Sequence, residues 1–158
     1  MNIRNDFPIL QRSSRGKPLV YLDNGATTQK PQSVIGAIEN YYRSHNANVH
    51  RAAHELAEEA TALLEACRSK AKTFINATQR EEIIFTRGTT EGINLVAQVI
   101  SSRIKPGQDI VISQLEHHSN IVPWQLLAQR TGANIKAIDI TEAGDLDLND
   151  AANVITDN

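Results

Sequence analysis

The clearest pattern of hydrophobic and polar positions lies in the second half of the chain, where short apolar runs alternate with segments of helical spacing. Residues 83–86, 110–113 and 135–140 are rich in β-branched side chains, and such runs predict strands. Residues 91–102 and 120–129 carry apolar side chains three and four positions apart, which predicts helices. Because this alternation is typical of parallel sheets flanked by helices, it predicts a partial βαβαβ unit of the α/β class.

The first half is dominated by helical spacing. Pro31 suits the first turn of a helix that carries Val34 and Ile38, because proline lacks the N–H that such a turn leaves unpaired. A second, longer helix is predicted from about residue 52 to residue 74. Its apolar stripe includes Cys67, which we expect to be a buried and inert thiol.

Shorter elements complete the organisation of the chain. Residues 19–22 predict a brief strand, the turn-rich residues 23–28 predict a loop, and residues 146–155 predict a short helix. Length alone suggests a single domain. We expect two parts: residues 1–50 form an arm, strand, loop and first helix, and residues 51–158 form the long helix and the first part of an α/β domain. The alternation would be expected to continue further, so this domain looks truncated.

Composition and charge exclude several classes of protein. The 158 residues are 41% hydrophobic, and 16 Lys and Arg face 18 Asp and Glu with no basic block, which argues against nucleic acid as a partner. The amino terminus has neither the apolar centre of a signal peptide nor a membrane span. One cysteine excludes an internal disulfide and fits a reducing compartment. We therefore expect a cytoplasmic protein without a membrane partner.

Candidate chemistry begins at the turn that leads from residues 83–86 into the next helix. The first N–H groups of a helix lack internal partners and carry the positive end of the helix dipole. A phosphate placed against Thr89 and Thr90 would meet these donors together with two hydroxyls, and Gly88 would let it approach the backbone. The alternative is an ordinary capped helix start.

A second candidate lies at His117 and His118, which follow the strand predicted at residues 110–113. In open α/β sheets, ligands gather beyond the carboxyl ends of the strands, and both candidates occupy such ends. An imidazole beside a phosphate pocket can stack on a heteroaromatic ring, which contributes about 0.5–1.5 kcal/mol by analogy with aromatic pairs. The alternative is a pair of surface histidines that cap a helix, and for His118 we favour this interpretation.

Two histidines at a spacing of four residues raise the question of a metal site. His50 and His54 would share one face of a helix, but Arg51 stands where a zinc protease needs glutamate after its first histidine. The sequence therefore predicts no metal site.

Five segments along the chain carry recognisable motifs: residues 21–27, 30–31, 48–51, 87–94 and 116–124. In this order, they resemble motifs of the class V, fold-type I enzymes that use pyridoxal 5'-phosphate (PLP), and among these enzymes the SufS/CsdA-type cysteine desulfurases. The match runs along nearly the whole chain. The resemblance implies the amino-terminal portion of the large domain of a PLP-dependent transferase.

The resemblance also implies roles for individual residues. The residues expected to bind the cofactor are Gly88, Thr89, Thr90 and His117. The phosphate would lie at the two threonines, and the histidine would stack on the pyridine ring. Those expected in the substrate region are Asn24, Gly25, Ala26, His50 and Arg51.

The activity implied by the resemblance is the conversion of L-cysteine to L-alanine and an enzyme persulfide, which supplies sulfur for iron–sulfur clusters. The resemblance further implies a homodimer and a sulfur-acceptor protein. Four groups needed for that chemistry lie later in the family's sequence than this chain extends: a Schiff-base lysine, an aspartate at the pyridine nitrogen, a nucleophilic cysteine and an arginine for the substrate carboxylate. We therefore expect no catalytic residue in this chain, no activity of the isolated chain, and weak or absent PLP binding.

Two alternatives stay open at this point. One is another class V PLP enzyme, such as an epimerase, a lyase or a transaminase, because cofactor anchoring is shared within the superfamily. The segments at residues 48–51 and 117–118 favour a desulfurase. The other alternative is a non-catalytic fragment whose activity is association with another chain.

Overall fold

Helices provide most of the regular structure in the first of two units that divide between Ile83 and Ile84. The computed structural model describes residues 3–51 and 53–156. In the first unit, a two-residue antiparallel hairpin precedes two α-helices, and single 3-10 turns lie at both ends. The bounds are Ile3–Asp6 and Pro8–Gln11 for the first 3-10 turns, β1 Ser13–Ser14, β2 Lys17–Pro18, α1 Gln32–Ser44, α2 Glu55–Phe74, and a 3-10 turn at Arg80–Glu82.

Both helices begin where local chemistry favours a helix start. Pro31 occupies the position directly before α1 with extended backbone angles. The Nδ1 atom of His54 accepts a hydrogen bond from the Ala57 N–H at 3.2 Å and so pairs one of the free donors of α2. The first turn of α2 also carries two acidic side chains, Glu55 and Glu58, whose negative charge interacts favourably with the positive end of the helix dipole. Both predicted helices are thus confirmed; residue 52 lies outside the described residues.

The strand predicted at residues 19–22 was wrong. No strand among the described residues pairs with this segment, and the Leu22 side chain is 89% exposed, so neither a ladder nor a core holds it as a strand. A hairpin forms earlier instead, because Arg15 and Gly16 adopt positive φ angles of 52° and 76°. The loop that follows is confirmed: the Tyr21 hydroxyl donates to the Thr27 carbonyl at 2.6 Å and closes it.

The expectation of a buried Cys67 was also wrong, since its side chain is exposed. Cys67 lines a groove of about 540 Å³ between α1 and α2, together with Tyr41 and Leu63. The apolar stripe of α2 therefore faces a groove instead of a packed core. Buried positions on this helix are the small Ala57 and Ala60, whereas Phe74 at its end is 90% exposed.

The second unit, residues 84–156, is an α/β arrangement around two parallel strands. The strands pair in register from Asp109 opposite Asn134 to Ser113 opposite Ile138, and the helix between them makes the crossover that parallel neighbours require. The elements are α3 Thr89–Ile100, a 3-10 turn at Ser101–Arg103, β3 Asp109–Ser113, a 3-10 turn at His118–Asn120, α4 Val122–Thr131, β4 Asn134–Ile138 and α5 Leu148–Val154.

The α/β class is confirmed, but one of the three predicted strands is missing. Residues 83–86 form no strand, and among the described residues no neighbour offers them a hydrogen-bonding ladder. Ile84 and Phe85 are 69% and 53% exposed. A strand is stabilised by its neighbours, so a β-branched run without one stays irregular. The second unit therefore contains one βαβ unit, β3–α4–β4, where the sequence predicted a partial βαβαβ arrangement.

The core of the second unit lies beneath α4. Leu127 and Ala128 on α4 and Ala97 on α3 are buried. Gly132 ends α4 with φ 75°, the left-handed conformation that favours glycine at this position. A Cβ there would stand 3.3 Å from the Cβ of Pro106, so glycine also allows the close approach of that turn. No helix among the described residues is long and apolar enough to cross a membrane.

The ion pair between the two strands makes the stability of the second unit dependent on pH. Lys136 Nζ lies 2.6 Å from Asp109 Oδ2, and Asn134 donates to Oδ1 at 3.1 Å. The bond from Lys136, and then that from Asn134, lowers the pKa of Asp109 from its ordinary value. A depressed carboxyl pKa stabilises the folded state above the unfolded pKa of about 3.9, and this contribution disappears as pH falls through the folded value.

We therefore expect Asp109→Asn to lower the free energy of unfolding at neutral pH and to flatten its fall below about pH 4. Urea unfolding of both chains across that range measures the difference. Replacing the exposed Glu142 by Gln is the matched control and should leave the profile of the parent chain unchanged. Parallel profiles for the parent and Asp109→Asn would contradict the assignment.

Candidate functional site

The amino terminus of α3 is shaped by Gly88. This residue has φ 150° and ψ −179°, a combination that is essentially restricted to glycine. A Cβ built there would meet nothing within 4 Å, so the restriction comes from the backbone and the space before the helix is open. The predicted helix is confirmed, and it begins two residues earlier than expected, which places Thr89 and Thr90 in its first turn.

The first amides of α3 have no protein acceptor among residues 84–156. At the helix start, the first N–H group that donates to the backbone is that of Gly92, which bonds to the Gly88 carbonyl at 3.0 Å. The N–H groups of Thr89 and Thr90, and both of their hydroxyls, make no hydrogen bond in the part of the chain that the structure describes. No neighbouring side chain caps this helix start among the described residues, so these donors are free to bind an anion.

Arg87 and Glu91 form an ion pair at this helix start, so their charges compensate each other. The Glu91 carboxylate accepts from the Arg87 backbone N–H and from the guanidinium Nη2 at 3.2 Å. These two bonds, the backbone one first, lower the pKa of Glu91 below its ordinary value. Because Glu91 is held by Arg87, its negative charge is compensated before a second anion arrives.

Two adjoining cavities lie beside this helix start. One, of about 370 Å³, is lined by residues 87–91 and Asn94. The other, of about 230 Å³, is lined by Thr90, Asn94 and His118, together with Ser119, Val122 and Pro123. Since Thr90 and Asn94 line both cavities, the helix start and the histidine segment belong to one continuous depression. The structure thus brings the two segments together, and that they face one ligand stays a prediction.

The two exposed histidines have different contacts at this loop. His118 is exposed, as expected for a surface residue, and it also lines the cavity with Thr90. His117 is not among the lining residues, because its Nδ1 atom accepts from the Ser119 N–H at 3.2 Å and caps the short 3-10 turn. The two rings are in contact, with centroids 3.9 Å apart and planes inclined by 35°. The pair thus forms one surface beside the cavity, and the stacking role of His117 stays a prediction.

A chain of hydrogen bonds holds the histidine segment between β3 and α4. The Glu116 carboxylate accepts from the Ser113 hydroxyl at 3.0 Å and from the Asn120 amide at 2.7 Å. The Asn120 Oδ1 atom in turn accepts from the Trp124 indole N–H at 2.8 Å. This network ties the end of the strand to the first turns of the helix, so the loop that carries His117 and His118 is braced at both ends.

The residues predicted for the substrate region lie in the first unit. Asn24, Gly25 and Ala26 form the turn after Tyr21, closed by a bond from the Ala26 N–H to the Asp23 carbonyl at 3.2 Å. His50 and Arg51 occupy the bend before α2, where His50 has φ 60°. Their roles toward a substrate stay predictions.

The histidine pair considered for a metal is divided between different local structures. His54 caps α2, while His50 lies in the preceding bend, so the two do not share a helix face. Within residues 3–51 and 53–156, no group of three His, Cys, Asp or Glu side chains could hold a metal ion.

Sequence reasoning assigned no role to Asn94 or Glu116. Asn94 stands one helical turn after Thr90, and its amide donates to the Thr90 carbonyl at 2.8 Å; the spacing of four residues was the available signal. Glu116 belongs to the segment 116–124, and its place just after a predicted strand was the available signal for its bonds to Ser113 and Asn120. Both residues shape the site through backbone and side-chain bonds.

The arrangement in the second unit can bind an anion at the start of α3 and a flat ring near the histidines. Among the described residues, no lysine or cysteine lines that depression. The described lysines of this unit are Lys105 and Lys136, neither of which lines the two cavities, and Lys136 is engaged by Asp109. The chemistry available from these side chains is therefore binding and orientation.

Comparison with known proteins identifies the family. The model of the family described as "Aminotransferase class-V" matches residues 20–158. A probable cysteine desulfurase of Streptomyces coelicolor is 53% identical over 161 residues, which cover 98% of this chain and 38% of that protein. The chain thus spans less than two fifths of the length of this relative.

Solved structures give the same result for the fold. The apo cysteine desulfurase from Thermococcus onnurineus NA1 has a TM-score of 0.88 and 38% identity, over 97% of this chain and 36% of that one. The cysteine desulfurase CsdA from Escherichia coli has a TM-score of 0.80 and 39% identity, over 98% of this chain and 38% of that one. The resemblance predicted from the five segments is confirmed, and the chain belongs to the aminotransferase class-V family.

Proposed function

We propose that this chain forms the phosphate-binding part of a PLP-dependent cysteine desulfurase. The observation that carries the proposal is the start of α3, where the N–H groups and hydroxyls of Thr89 and Thr90 have no protein acceptor among the described residues of the second unit. These donors suit a phosphate, since they combine hydrogen bonds with the positive end of the helix dipole. Gly88 keeps the backbone accessible to it.

The adjoining cavity fits the rest of such a cofactor. His117 and His118 present a pair of rings beside the cavity that Thr90 lines, and a pyridine ring can stack on imidazole. When bound, the cofactor would supply an electron sink for carbanion chemistry at an amino acid. The residues of this chain would hold its phosphate, orient its ring and exclude water from one side.

The complete reaction is proposed from the relatives, because the desulfurases named above are about 38–53% identical to this chain. The longer protein would convert L-cysteine to L-alanine and leave the sulfur as a persulfide on an enzyme cysteine. We further propose a homodimer in the cytoplasm that passes sulfur to an acceptor protein for iron–sulfur clusters. In this assignment Asn24, Gly25, Ala26, His50 and Arg51 lie in the substrate region.

The test is to read the coding sequence downstream of Asn158 and to assay the protein that it encodes. We expect an open frame that supplies a lysine, an aspartate, a cysteine and an arginine in the family's order. The purified protein should show cofactor absorbance and release sulfide and alanine from L-cysteine in the presence of a reductant. Alanine formed in equal amount to sulfide is the product balance that the reaction requires.

Two outcomes would overturn the proposal in different ways. A protein that holds PLP but forms no sulfide from cysteine would be another class V enzyme, such as an epimerase, a lyase or a transaminase. A stop codon directly after residue 158 would favour a chain whose activity is association. A variant with the cofactor lysine replaced is the control, since it should lose sulfide release while keeping its fold.

A further inference from the structure

Glu65 is the centre of a charged cluster in the first unit that the proposed cofactor site does not use. Its Oε1 atom lies 3.2 Å from His50 Nε2 and 3.8 Å from Arg68 Nε, and its Oε2 atom lies 3.3 Å from Arg80 Nη1. The Glu65 side chain is 26% exposed, whereas the His50 side chain is 51% exposed. Two arginines and one imidazole therefore share a single carboxylate.

The backbone of the same histidine is fixed by a second contact with α2. His50 has φ 60°, a left-handed conformation that few non-glycine residues adopt. Its N–H donates to the Thr61 hydroxyl at 3.0 Å, and that hydroxyl donates to the Ala57 carbonyl at 2.7 Å. The strained bend is thus held from α2 at both its backbone and its ring.

The position of the carboxylate decides which ring nitrogen carries the proton. A neutral imidazole has one N–H donor and one bare acceptor nitrogen. A bare lone pair at Nε2 would face a carboxylate oxygen at 3.2 Å, which is repulsive, whereas an N–H there is attracted. Glu65 therefore favours the form with the proton on Nε2, and in that form the acceptor is Nδ1.

We propose that Glu65 is a positioning residue that fixes His50 in the Nε2–H form and so presents Nδ1 as a proton acceptor to the substrate. This inference rests on the proposed function, in which His50 belongs to the substrate region. The substrate class that it fits is an amino acid with an ammonium or thiol group. Nδ1 accepts one proton, the substrate keeps the electron pair as an amine or thiolate, and the resulting imidazolium faces the Glu65 carboxylate.

The test is nitrogen-15 NMR of the histidine rings in the 158-residue chain at about pH 8.5, two units above the usual histidine pKa of about 6.5. We expect the Nε2 resonance of His50 at a protonated position and the Nδ1 resonance at an unprotonated one. In Glu65→Gln, the amide oxygen of the glutamine can still accept from the arginines, and its amide N–H can donate to His50 Nε2. This variant should shift both resonances toward the Nδ1–H form, and Glu65→Asp should restore part of the parent pattern.

A second histidine, expected to carry its proton on the other ring nitrogen, provides a control in the same spectrum. His45 meets Glu59 through Nδ1, at 3.1 Å from Oε2, so its ring should carry the proton on Nδ1. Glu59→Gln should change His45 and leave His50 unaltered, and Glu65→Gln should do the reverse. His50 resonances that do not move in Glu65→Gln, while circular dichroism shows intact helices, would overturn the proposal. The measurement needs neither cofactor nor cysteine, so its result is independent of the desulfurase assignment.

Discussion

Replacement of Gly88 by alanine should destabilise the second unit by about 1–3 kcal/mol, the cost of holding a non-glycine residue in this backbone region. The open space around this position means that no side-chain clash adds to the cost. Trp124, the one tryptophan of the chain, lies in the second unit, so its fluorescence during urea unfolding measures the effect there. The same substitution should tilt the first turn of α3 and displace the donors of Thr89 and Thr90.

Gly92 provides the matched control within the same helix. Its Cβ would stand 3.6 Å from the Thr86 hydroxyl oxygen, an ordinary contact, and its φ is not positive. Gly92→Ala should therefore be neutral or stabilising by up to about 1 kcal/mol, because alanine favours a helix more than glycine does. Equal stability of Gly88→Ala and Gly92→Ala would show that the backbone at residue 88 is not restrained as described.

Substitution of Thr90 by valine should weaken the binding of PLP about 10-fold or more. A hydrogen bond to a charged group contributes about 1.5–3 kcal/mol, and 1.4 kcal/mol corresponds to a factor of ten. The Thr90 hydroxyl lies at the wall shared by both cavities, so a bound phosphate would lose a donor there without loss of side-chain volume. Titration of the amide resonances of α3 with millimolar PLP measures the affinity.

Pyridoxal, which lacks the phosphate, separates the role of the hydroxyl from that of the ring. Its binding should be equally weak in the parent chain and in Thr90→Val. Thr131→Val is the control for loss of a hydroxyl, since Thr131 donates to the Leu127 carbonyl at 2.9 Å near the end of α4. Equal weakening of PLP binding in Thr90→Val and Thr131→Val would contradict the phosphate site.

The parts of the fold that the sequence predicted correctly are those specified by local contacts. The start of α3 follows from a glycine, two threonines and a helical pattern within eight residues. The parallel pairing of β3 with β4, through the crossover helix α4, follows from the alternation of strand-like and helix-like hydrophobic spacing over about 30 residues. Residues 83–86 have the composition of a strand, yet a strand also needs a neighbour, and no neighbour is present among the described residues.

The environment of a side chain was harder to predict than backbone structure, because it depends on which other parts of the chain pack against that side chain. The helical spacing of Cys67 identified the apolar face of α2 correctly, but spacing does not show whether that face is covered. In the same way, the adjacent pair at positions 117 and 118 indicated a ring beside the cavity. Which ring lines it is decided by the bond from Ser119 to His117, a contact that residue types alone do not determine.

The accessibility of Phe74 and Leu22, at 90% and 89%, bears on how this polypeptide behaves in concentrated solution. Solvent-exposed aromatic and aliphatic side chains associate through the hydrophobic effect. Sulfate and other kosmotropic salts strengthen that attraction, so self-association should increase with their concentration.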